Sequence, residues 1–303
     1  MPPSASHVSA DTAARLMLVA LSLSWGLSWP AMKISLNEIP PFSFRMGTTG
    51  LACVVLFVIA FAQHRSVRIK RPIARLHLVI AGILNVGLFT LGAAFAQLTT
   101  TTSRVAVLTY TMPIWAALLA RPILGERLNM TRGISLLLCA AGLSVLVYPL
   151  IGSSDLIGVA IALGTAAAWA VGTVYLKWAR VEADPLAIAV WQLVVALVLT
   201  FAGLLVFEGG LHLWPIHAPA LLAMIFSAVF GSALAYILWF EIVRRLPATT
   251  ATLGVLSAPV VGAVTSMIAL GERPTVPDLI GFTLVLAAAA LVVLAPTSVV
   301  SNQ

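Results

Sequence analysis

The side chains in this chain that could engage a ligand are hydroxyls, one amide and aromatic rings, set at helical spacing inside apolar stretches. Trp25 and Ser28, Asn85 and Phe89, and Trp169 and Thr173 stand three or four residues apart, so each pair shares a helix face. Thr109 and Tyr110 come just before Pro113, Ser257 comes just before Pro259, and Ser227 and Tyr236 lie together in a further apolar run. Groups of this kind hydrogen-bond a solute or stack on its apolar part, which makes them the candidate substrate-binding residues.

Other chemistry is not supported. A membrane-embedded enzyme, such as a lipid-modifying transferase, needs clustered Asp, His or Glu or an activated Ser at membrane depth, and no such cluster occurs. A phosphate loop of the form Gly-x-x-x-x-Gly-Lys-Ser/Thr is also missing. Cys53 and Cys139 sit in apolar stretches without partners at metal-ligand spacing, so they read as buried thiols, and neither a metal nor a cofactor is expected. Lys33, Arg45 and Glu241 fall near the ends of apolar runs, which leaves mid-membrane depth without an ionisable group. That pattern disfavours a phosphorylated solute and a conventional carboxylate proton carrier; it fits a neutral or zwitterionic, partly apolar one.

The elements that must position these residues are membrane helices. Of the 303 residues, 61% are hydrophobic and 9% charged, and the charged share is about a third of that in a soluble domain. A bilayer crossing takes roughly 20 apolar residues. Ten such spans are expected, at 13–34, 42–62, 76–98, 103–121, 131–149, 156–178, 185–207, 219–243, 249–270 and 276–295. They are continuously apolar and lack the period of two of a barrel strand. The first is too long, and too rich in tryptophan, for a cleavable signal peptide.

The net charge of +7 is a topology signal and does not point to nucleic acid. With the N-terminus in the cytoplasm, thirteen Lys and Arg fall inside, and Lys33, Arg45, Arg104 and Arg273 fall outside. Both termini are then cytoplasmic, with tails at 1–12 and 296–303.

The chain also repeats itself. Leu124-Gly125-Glu126-Arg127 returns as Leu270-Gly271-Glu272-Arg273, each preceded by a proline, Pro113 or Pro259. Trp25 and Lys33 match Trp169 and Lys177. The repeats are expected at 13–149 and 156–295. Five spans per repeat is an odd number, so the second repeat enters the membrane upside down, a construction that recurs in secondary transporters. Pro113 and Pro259 mark hinge points, because a proline removes a backbone bond within a helix. Glu126 and Glu272 lie too near the interface for a central site; they read as structural, pairing with the neighbouring Arg127 and Arg273 or capping the next helix.

These motifs, with Ser24-Trp25-Gly26 and Ser257-Ala258-Pro259, resemble the drug/metabolite transporter superfamily and its ten-helix EamA-type members. The resemblance implies an all-α integral membrane protein of two inverted five-helix repeats, with a central cavity lined by spans one, three, four, six, eight and nine. It further implies alternating-access transport of an amino acid or related metabolite, as export, across a bacterial inner membrane. A multidrug or cation exporter of the same fold is the alternative within that class. The expected partners are the solute and the lipid bilayer, with no obligate protein partner. A cysteine placed beside Gly271 should be labelled from outside and one beside Gly125 from the cytoplasm; labelling of both from one side would refute the inversion.

Overall fold

The computed structural model describes residues 5–125, 130–235, 237–238, 242 and 257–294. Ten apolar helical segments are present among them. They are α1 (Ala5–Leu36), α2 (Pro41–Ala62), α3 (Pro72–Thr99), α4 (Thr102–Leu124) and α5 (Met130–Val147) in the first half. The second half holds α6 (Asp155–Ala179), α7 (Pro185–Glu208), α8 (Ala218–Leu234), α9 (Ser257–Leu270) and α10 (Val276–Leu294). Six segments are long and apolar enough to cross a bilayer, with shorter apolar helices in α8, α9 and α10. This is an all-α, multi-pass membrane architecture. The helix α1 begins at Ala5, inside the expected tail, so it outruns its apolar stretch.

Packing follows a rule of exchange between helix n and helix n+5. α1 packs on α9 as α6 packs on α4; α1 packs on α8 as α6 packs on α3; α2 packs on α8 as α7 packs on α3. The pairs α2/α7, α4/α9 and α5/α10 map onto themselves. The chain is therefore two inverted five-helix repeats around a pseudo-twofold axis. Two four-helix groups result, α1, α2, α8 and α9 against α3, α4, α6 and α7, with α5 and α10 at the side.

Small residues bring these helices together, as they must where lipid supplies no hydrophobic drive for helix association. Gly142 and Gly281 face each other across α5 and α10, where an added Cβ at either would come within 3.1 Å of the other's carbonyl oxygen. In the α3/α6 pair, a Cβ at Gly172 would overlap the Asn85 amide. The equivalent α1/α8 pair has the same fit reversed, because a Cβ at Gly231 would overlap the Ser28 hydroxyl.

Two more features recur in both halves or mark one of them. The helices α3 and α8 each carry a π-helical stretch, Gly82–Leu88 and Ser227–Leu234, at corresponding depth. Such stretches widen a helix locally and are frequent at functional sites. In α4, the rod breaks at Tyr110–Thr111, whose amides reach back three residues, to Val107 and Leu108 (3.1 Å each). Pro113 then sits in the first turn of the next segment, where its missing N–H costs no bond. The residues before Ser257, where α9 would show the matching feature, lie outside the described residues.

Substituting Gly172→Ala should lower stability by about 1–3 kcal/mol through overpacking. Thermal unfolding in detergent should show the loss for Gly172→Ala and a partial recovery in Gly172→Ala combined with Asn85→Ala.

Candidate functional site

The candidate residues fall into two polar seams and an aromatic centre. Along α3/α6, the Asn85 side-chain amide donates to Gln192 Oε1 (3.2 Å), and its carbonyl oxygen accepts from Thr173 Oγ1 (3.3 Å). Thr173 also donates to the Trp169 carbonyl at 2.9 Å. Asn85 thus ties α3 to both α6 and α7, and this network uses polar groups that would otherwise be available to a solute. One end of the same seam carries His77, whose Nδ1 lies 2.6 Å from the Tyr175 hydroxyl, with the Tyr175 and Trp178 rings edge-on.

The second seam runs along α1 against α8 and α9. Ser28 donates to the Ser24 carbonyl (2.5 Å), Ser257 donates to Ser22 Oγ (2.8 Å), and Ser35 donates to the Ala220 carbonyl (3.1 Å). Ser227 is buried, and its hydroxyl has no partner among the described residues. Thr109 is fully buried and donates to the carbonyls of Val105 and Ala106 in its own helix, at 2.9 and 3.0 Å. Tyr236 lies outside the described residues.

The aromatics divide among these sets. Tyr110 belongs to the largest buried apolar cluster, together with Trp29, Met32 and Phe44, and Trp25 and Met112 pack against it. Trp25, Phe89, Trp169 and Pro113 are half-buried, whereas Pro259 is buried. The structure therefore places Trp25 against the apolar cluster that holds Tyr110 and joins Asn85, Thr173 and Trp169 in a second set. Ser28, Thr109, Thr173, Asn85 and Ser257 all bond within the protein.

The charged groups stand at the two ends of the bundle. At the end bearing the starts of α2 and α4, Glu272 accepts from the amides of Thr102 and Ser103 (2.6 and 2.9 Å). Glu208 accepts from the amides of Phe42 and Ser43 (2.7 and 2.8 Å) and from the Ser43 hydroxyl (2.7 Å). The expected capping role of Glu272 holds, but it caps α4 of the other half and not the helix that follows it. Glu126 and Arg127 lie outside the described residues. Arg104 grips Asp278 with two nitrogens (2.7 and 3.0 Å) and Asp155 with a third (2.5 Å), with Arg104 and Asp278 10% and 6% exposed.

At the opposite end, Arg65 pairs through two nitrogens with Asp184, which also caps α7 by accepting from the Leu186 amide at 2.7 Å. Burial pushes the Asp184 carboxyl up, but the Arg65 bond, the Leu186 amide and the Arg65 charge together hold it below its ordinary value. It is therefore ionised at neutral pH, and the pair weakens only as pH falls through the lowered value.

A family model described as the EamA-like transporter family matches the chain twice, over residues 12–148 and 156–294. The chain belongs to the EamA-like transporter family. This EamA-type chain is 28% identical over 293 residues to the uncharacterized transporter YvbV of Bacillus subtilis, covering 93% of this chain and 92% of that one. The uncharacterized transporter YoaV of the same organism is 24% identical over 277 residues, covering 89% and 93%. A shorter match, 35% identical over 136 residues and 44% of each chain, is to the threonine/homoserine exporter RhtA of Escherichia coli. A crystal structure with TM-score 0.64 and 22% identity covers 92% of this chain and 96% of its own, a likeness of fold. The protein is a multi-pass membrane transporter of this family, and the three relatives above are named as transporters or exporters.

Several working residues escape a reading of spacing alone, among them Gln192, Glu208 and the partners of Arg104. Gln192 carried a signal, as an amide in the middle of an apolar run. Replacing Arg104 by Met strands Asp278, so it should cost about 3–5 kcal/mol, and Arg104→Met with Asp278→Leu should cost less. A double-mutant cycle of unfolding free energies in detergent would measure both.

Proposed function

We propose that this protein is a secondary transporter that exports a small neutral or zwitterionic, partly apolar organic solute by alternating access. The solute class is an amino acid or a related metabolite. One observation carries the reading: two equivalent four-helix groups meet, with Trp25 packed on the Tyr110 cluster, Trp169 in the Asn85 network, and charged side chains held at the bundle ends. Among the described residues, these sets offer stacking surface and a few hydroxyls, and no fixed charge to bind a phosphate. The partial match to a threonine/homoserine exporter supports an amino-acid solute.

The membrane is the bacterial inner membrane, with both termini cytoplasmic, as the distribution of Lys and Arg supports. The Arg65 end then faces the cytoplasm and the Glu272 end faces outward. Trp25, Phe89, Tyr110, Trp169 and Ser227 contact the solute, and Ser28, Asn85, Thr109, Thr173 and Ser257 shape the walls around them. The break before Pro113 lets α4 bend as the groups rock, and Pro259 marks the equivalent hinge position in α9. A gradient, of protons or of the solute itself, drives the cycle.

Purified protein in proteoliposomes, given a panel of amino acids and hydrophobic cations, tests this directly. Amino acids should move, and Trp25→Ala or Trp169→Ala should lower kcat/KM by about threefold to tenfold, the worth of an aromatic contact. Transport confined to the cations would replace the solute class, and modification of a lipid without any flux would end the transporter reading.

A further inference from the structure

Glu208 and Glu272 share an arrangement that simple helix capping does not require. Each leaves the end of a helix in one four-helix group and caps the start of a helix in the other: Glu208 reaches from α7 to α2, and Glu272 from the end of α9 to α4. The pairs α2/α7 and α4/α9 are the two self-mapping pairs that join one four-helix group to the other. Both caps lie at the same end of the bundle. We propose that Glu208 and Glu272 are positioning residues that hold this end shut, and that opening it requires both caps to let go. This rests on the transporter reading above.

The chemistry suits reversible closure. A helix start exposes amide N–H groups that need an acceptor wherever water is excluded. While the end is shut, the carboxylates supply that acceptor, and their charge is favourable at the positive end of the helix dipole. Once the groups part, water enters and takes the carboxylates' place, so neither the amides nor the glutamates are left unsatisfied. Arg104 and Asp278 at the same end behave differently. They are nearly buried and join α4 to α10, the side helix, so they anchor the start of α4 and do not bridge the two groups. The cap on α4 is then released by movement of α9 against a fixed α4. At the opposite end of α2/α7, Arg65 and Asp184 make the corresponding bridge, and in this structure both ends of the pair are tied.

Ala106 offers a reporter. It is fully buried, one turn inside the α4 cap, and its Cβ lies 3.4 Å from where a Cβ at Gly262 of α9 would stand. In a Cys53→Ala, Cys139→Ala background, Ala106→Cys should react slowly with a membrane-impermeant maleimide applied to that side in nanodiscs without solute. Adding Glu272→Gln should speed labelling by about tenfold, since a charge-assisted cap becomes a neutral one. Adding Glu208→Gln should do the same from a different helix pair, which keeps the test valid even if the Glu272 variant does not fold. Unchanged labelling in folded variants, with only a lower melting temperature, would overturn the proposal and leave the glutamates as static caps. Faster labelling in a protein that moves no solute would uphold closure while removing the transport reading.

Discussion

A helix that starts at the edge of a bilayer presents amide groups with nothing to bond, and in this protein the missing acceptors come from elsewhere in the chain. The first amides of α2 and α4 take theirs from Glu208 and Glu272, both in the second half of the chain, while α7 is capped by Asp184, itself gripped by Arg65 of the first half. The starts of α2 and α4 cannot be completed from within the first half. The pairing of α2 with α7 and of α4 with α9 follows, and with it the division into two four-helix groups around a shared centre.

The apolar runs were legible in the sequence because lipid imposes a length and a continuous composition, and the ends of α2, α6 and α7 fall within a residue or so of those expectations. The duplication was legible too, through Leu-Gly-Glu-Arg and the paired tryptophans. What spacing could not supply was the identity of neighbours. Asn85 and Phe89 share a face, but whether that face meets a solute or Gln192 depends on which helix lies opposite, and that choice is made by the pseudo-twofold packing. Arg104 reads as a charge at the outer end of the fourth span, yet it is held by two carboxylates, Asp155 and Asp278, that lie far away in the chain. Glu272 was legible as a cap, and its target was not.

The π-helical stretches of α3 and α8 show how duplication and function meet. A wider turn leaves carbonyls less tightly bonded and gives the helix a place to deform. Both lie in the inner helices that face the opposite repeat, one around Asn85 and the other around Ser227 and Gly231. Deformability is thus placed in matched positions of the two halves, and a further π-helical stretch, Leu204–Glu208, ends α7 on the capping residue Glu208.

The reversed fit of Asn85 on Gly172 and of Ser28 on Gly231 has an evolutionary consequence. Ser28 and Gly172 occupy the same place in their repeats, as do Asn85 and Gly231, so each half carries one protrusion where its sibling carries a hollow. Two copies of the first half would set protrusion against protrusion; two copies of the second would leave a void at both seams. Whatever symmetric ancestor gave rise to this chain, its descendants have become complementary mates, and covalent fusion now guarantees that each half always meets the one partner it fits.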